Sequence, residues 1–110
     1  MPIAKLQDGT KVHCILKSEA QVLDHHVEGY FVHGIALKEN DVVFDVGANV
    51  GVFSLRALQK GKSIQVFAFE PIPDIFACLQ KNQQDFGDGR LIALPFGVSD
   101  QPGEMVFSYY

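Results

Sequence analysis

Basic residues are in short supply: nine Lys and Arg stand against thirteen Asp and Glu, a formal net charge of −4. They are scattered rather than gathered into a stripe, so the chain lacks the electrostatic footprint of a nucleic-acid surface. No apolar run approaches the roughly 18 residues that a membrane-spanning helix needs. The opening MPIAKLQDGT has no apolar core of signal-peptide length. Neither a nucleic acid nor a membrane is expected as partner, and a cytoplasmic location is the default. Cysteine is scarce too. Cys14 and Cys78 stand in dissimilar contexts without C-x-x-C spacing, as small buried thiols in a reducing compartment do. Of His13, His25, His26 and His33, none sits four residues from a partner beside a carboxylate, and no metal is expected.

What is present reads as a folded domain. The 110 residues are 47% apolar and 20% charged, without a low-complexity tract, and that length suits one compact domain rather than two. The segment KLQDGTKVHCIL turns at Asp8-Gly9 and reads as a short hairpin or a lone strand. Ser18 with Gln21 has capping-box spacing ahead of Val22, Leu23 and Val27, predicting a helix from about Glu19 to Val27. VVFDV is continuously apolar except for Asp45, the pattern of a strand covered on both faces in a parallel sheet.

NVGVFSLRALQK then reads as a helix and IQVFAFE as a second strand. In PIPDIFACLQKNQQDF, Ile72, Ile75, Phe76 and Leu79 share one helix face, with Pro73 suited to the first turn. RLIALPFGVSD is the third strand, held to an edge by Pro95, and Pro102-Gly103 turns into a final strand from Met105 to Tyr110. Strand and helix alternate, which implies right-handed crossovers and a Rossmann-like parallel sheet with flanking helices, an α/β fold. The hairpin and helix of residues 1–40 lead into a β-α-β-α-β core over residues 41–110, together a single partial domain.

The turn between VVFDV and its helix is the chemical centre of the sequence. In open parallel sheets ligands bind at the carboxyl ends of the strands, and Gly47 and Gly51 let the chain bend sharply with no side chain in a ligand's way. Glu70 ends the second strand, where a carboxylate can accept from both hydroxyls of a ribose. Turn and acid together point to a nucleoside-bearing cofactor. A dinucleotide fingerprint from Gly47 would need glycine where Asn49 and Val52 stand. KGKS resembles the end of a phosphate loop, yet glycine is absent at Arg56 and the segment leads from helix to strand.

VVFDVGANVGVFS followed by FAFEPIPDIFACLQKN resembles the FkbM-type S-adenosylmethionine-dependent methyltransferases, whose first motif is D-x-G-A-N-x-G and whose second contains E-P. The similarity runs from about Tyr30 to the C-terminus. It implies that Asp45, Gly47, Ala48, Asn49 and Gly51 form the loop under the amino-acid end of S-adenosylmethionine, with Asp45 toward the ammonium. Glu70 would take the ribose hydroxyls, Pro71 and Ile72 would lie near the adenine, and Val98, Ser99 and Asp100 would close its other side. The activity implied is O-methylation of a small-molecule or sugar hydroxyl by direct displacement. His25, His26, His33, Tyr30 and Tyr110 receive no role.

The family fold has seven strands in the order 3-2-1-4-5-7-6, of which this sequence supplies the first three and a following hairpin, a partial class I methyltransferase fold. Acceptor-binding and catalytic residues are expected in the half it lacks. The first strand would be left without a partner on one side. That predicts either a fragment of a longer enzyme or a homo-oligomer joined through that strand. Two rival readings are a nicotinamide-dependent oxidoreductase and a non-catalytic half-domain used for association.

Overall fold

The computed structural model describes residues 1–34 and 36–97. Asp8-Gly9 turns β1 (Ile3–Lys5) back onto β2 (Lys11–His13) as an antiparallel hairpin. Gly9 has φ 90°, and Asp8 Oδ1 accepts the Thr10 N–H at 2.9 Å. Glycine tolerates that φ, and the aspartate side chain closes the turn locally.

Helix α1 runs from Lys17 to His33, longer at both ends than the Glu19–Val27 expectation. Its cap is Leu16, without a side-chain hydrogen bond, so the Ser18 and Gln21 capping box is not made. The inward stripe of Ala20, Leu23, Asp24 and Val27 continues to Phe31, and this packing carries the helix past its local signals.

Three parallel strands follow in the order β3 (Val42–Val46), β4 (Gln65–Phe69), β5 (Leu91–Leu94). They alternate with α2 (Val52–Leu58) and α3 (Pro73–Phe86), as the sequence pattern predicts. Register aligns Val43 with Val66 and Val66 with Leu91, and all three are buried in the core with Leu55, Leu58 and Leu79. Crossovers running one way across a sheet put α2 and α3 on the same face. The alternate positions Val42 and Ile92 are exposed. On that same face Phe44 and Val46 of β3 are half-buried, Phe44 against the rings of Phe67 and Phe69, so the cover on both faces expected from its continuous apolarity is partial on this side among the described residues.

Pro73 opens α3 as expected, but Ile72 caps the helix from outside and is exposed. The inward face instead carries Cys78, Leu79 and Asn82, with Ile75 and Phe76 packed beside them. Strand β5 ends at Leu94, one residue before Pro95, because proline has no N–H to continue the ladder. It pairs with β4 alone among the described residues and is terminal in the sheet, as anticipated. The expected final strand Met105–Tyr110 lies outside the described residues.

Two polar clusters fasten the N-terminal part to this core. Asn82 Oδ1 accepts the His13 N–H at 2.6 Å, while its Nδ2 donates to His13 O at 3.0 Å and Val50 O at 2.7 Å. Arg56 on α2 reaches Asp24 Oδ1 and Glu28 Oε1 on α1, each at 2.8 Å, and lies 3.4 Å from Asp8 Oδ2 in the hairpin turn. Arg56 and Asp24 are both buried, so each neutralises a charge that would otherwise be costly to bury.

Candidate functional site

Strand β3 delivers Asp45 and Val46 to the carboxyl edge of the sheet, and the chain then turns through Gly47, Asn49 and Gly51. All three of those residues have positive φ, at 69°, 57° and 104°. Glycine and asparagine are the residues that take this conformation most readily. At Gly51 a second constraint applies: an added Cβ would lie 2.8 Å from Leu79 Cδ1. At Gly47 an added Cβ would meet nothing within 4 Å, so the main chain there faces open space a ligand can enter.

The turn is held from both sides. Ala48 donates its N–H to Phe69 O at 2.9 Å, and Gly51 donates to Ala48 O at 3.0 Å. Glu70, one residue beyond β4, accepts the Asn49 N–H on Oε1 at 2.7 Å and the Ile72 N–H on Oε2 at 3.1 Å. Glu70 is only 5% exposed, so these bonds carry its carboxylate in a site largely removed from water. Two bonds leave about two of the carboxylate's four acceptor positions for a ligand. Pro71 and Ile72 form an exposed lip beyond it.

Asp45 is buried beneath the turn, and its Oδ2 accepts the Ser54 hydroxyl at 2.7 Å. Burial pushes its carboxyl up to about 6, with the nearby Glu70 charge adding to the rise and the Ser54 bond opposing it. Above Asp45 opens a cavity of about 190 Å³ lined by Gly47, Ala48 and Asn49 from the turn and by Leu23, His26 and Tyr30 from α1.

The structure thus brings Asp45, Gly47, Ala48, Asn49, Gly51, Glu70, Pro71 and Ile72 together around one edge of the sheet. Val98, Ser99 and Asp100 lie outside the described residues. Four contributors escaped the sequence reading. Ser54 is hidden inside the apolar run VFSLRAL, and its buried hydroxyl in that run is the only signal of it. Asn82 grips Val50 from α3 with no local pattern to show it. His26 and Tyr30 reach the cavity because α1 packs over the turn, a tertiary fact.

A glycine turn at the end of one parallel strand and a carboxylate at the end of the next are the nucleoside-binding arrangement of Rossmann-like α/β domains, and the neighbours of this fold are class I methyltransferases. Two solved structures share this fold. One is the C-terminal domain of precorrin-6Y C5,15-methyltransferase from Rhodobacter capsulatus, at 22% identity and TM-score 0.56 over 81% of this chain and 45% of that one. The other is coclaurine N-methyltransferase bound to N-methylheliamine and SAH, at 18% identity and TM-score 0.55 over 94% of this chain and 28% of that one.

No protein-family model matches the chain. Among curated proteins it is 42% identical over 110 residues to 31-O-demethyl-FK506 methyltransferase FkbM of Streptomyces tacrolimicus, covering 96% of this chain. It is 40% identical over 70 residues to hexuronic acid methyltransferase AglP of Haloferax volcanii, covering 64% of this chain. The chain belongs to the FkbM-type methyltransferase family. It spans 42% of the length of the first relative and 28% of the second.

Proposed function

We propose that this chain is the S-adenosylmethionine-binding part of a methyltransferase that acts on a hydroxyl of a small molecule or sugar. The observation that carries the reading is the pairing of Asp45 and Glu70. They are two buried carboxylates at the ends of adjacent parallel strands, on either side of a turn whose main chain is open at Gly47. Glu70 would accept from the ribose hydroxyls through its remaining lone pairs, and Asp45 would face the ammonium. Ala48, Asn49 and Gly51 would shape the turn beneath the amino-acid end, and Pro71 and Ile72 would flank the adenine.

When bound, the cofactor would supply an electrophilic methyl group on a sulfonium, with a neutral thioether as its leaving group. The contribution of these residues is to bind and align. O-methylation is favoured by the FkbM relative, a 31-O-demethyl-FK506 methyltransferase, and a sugar acceptor by the AglP relative, a hexuronic acid methyltransferase. Calorimetric titration with S-adenosylhomocysteine, beside NAD and a Glu70→Ala variant, tests the reading. Saturable binding of the first ligand that the variant loses supports it, whereas a preference for NAD replaces it with a nicotinamide enzyme.

A second proposal concerns association. Strand β3 is terminal in the sheet of described residues, and Val42 at its start is 52% exposed. We propose that a further strand, from a second copy of the chain, adds beside β3. Sedimentation that shows a monomer at all concentrations removes this proposal.

A further inference from the structure

Ser54 is fully buried in α2 between Phe53 and Leu55, in a helix whose other inward residues are apolar apart from Arg56. Alanine would satisfy the packing there. The hydroxyl donates to Asp45 Oδ2 at 2.7 Å, and the Ser54 main-chain N–H also bears on the Asp45 carboxylate. Resting on the cofactor reading above, we propose that Ser54 is a positioning residue. It fixes the Asp45 carboxylate, which lines the cavity, so that it faces the ammonium of an α-amino-acid group bound there.

The geometry supplies the reasons. A carboxylate at the floor of a cavity needs a fixed rotamer to meet a cation, and a short bond to a hydroxyl on a rigid helix provides one. The bond also favours the ionised form, which a ligand ammonium requires. Burial and the Glu70 charge work in the opposite sense. The other titratable side chains that face this cavity are His26 and Tyr30 on α1.

The test compares two ligands of the full 110-residue chain: S-adenosylhomocysteine, and 5′-methylthioadenosine, which shares the nucleoside but has no ammonium or carboxylate. Affinities are measured from pH 5 to 8. The wild type is expected to prefer the homocysteine ligand, increasingly so as pH rises through the Asp45 transition near 6. Ser54→Ala is expected to weaken that ligand by roughly tenfold, the worth of a hydrogen bond to a charged group, and to leave 5′-methylthioadenosine nearly unchanged. It should also move the midpoint of the pH profile upward.

Asp45→Asn should abolish the preference, and Ser54→Ala added to it should change neither ligand further. Ser54→Ala that weakens both ligands alike, or acts equally in the Asp45→Asn background, would reduce Ser54 to a packing role and overturn the proposal. Wild-type binding of the homocysteine ligand with an unchanged Ser54→Ala profile overturns this proposal alone. Binding of neither ligand by the wild type removes the cofactor reading and this one with it.

Discussion

The main-chain N–H of Asn49 donates to Glu70 Oε1 at 2.7 Å, so the residue at the centre of the glycine turn is bonded to the acid that ends the neighbouring strand. The acid proposed to hold a ribose is therefore also a structural part of the turn. Glu70→Ala removes acceptors for two N–H groups, Asn49 and Ile72, and should destabilise the chain by about 2–3 kcal/mol. Hydrogen exchange at those two amides should accelerate more than elsewhere in the sheet. Unchanged exchange there would remove Glu70's structural role.

Gly51→Ala faces two penalties, a φ of 104° and a Cβ placed 2.8 Å from Leu79 Cδ1. A loss of about 2–4 kcal/mol is expected in urea denaturation. Measured against Leu79→Ala alone, which removes the contact, most of the Gly51→Ala penalty should persist because the backbone strain remains. A penalty that vanishes in that background would show that the contact was the whole cost.

Arg56→Ala leaves Asp24 buried without its cation and should cost about 3–5 kcal/mol. Glu28→Gln should be far milder: its side chain is more exposed, and the Arg56 hydrogen bond is what holds its carboxyl below the usual range. Thermal melting of the two variants side by side checks the ordering, and equal losses would contradict it.

Asp45→Asn is expected to stabilise the ligand-free chain. The folded state holds the Asp45 proton up to about 6, against an ordinary value of 3.8, so the native carboxylate costs stability as pH rises through that interval. The variant should gain roughly 2–3 kcal/mol at pH 7 and nothing below about pH 4. A gain that does not vary with pH would show that burial of the charge is not the cause.

Much of this was legible in the residues because the signals are local. Val42–Val46 and Gln65–Phe69 are apolar enough to read as buried strands, and the first ends in a turn whose positive φ values call for glycine or asparagine. The Pro73 start of α3 is equally local. What failed was decided by packing. The Ser18 cap is not made because the helix already starts at Lys17, and Ile72 faces outward because its helix starts after it. Ser54 and Asn82 act across 9 and 32 residues of sequence, and no periodicity marks a buried polar residue whose partner lies on another element.

Asn82 makes the hairpin and the ligand turn parts of one mechanical unit: one amide on α3 grips the main chain of His13 with both ends and of Val50 with its nitrogen. Whatever stiffens the turn also quiets the first dozen residues, and whatever loosens those residues is felt at the turn, because coupling between two sites is reciprocal. A label on the hairpin, far from any ligand contact, would therefore report occupancy of the site.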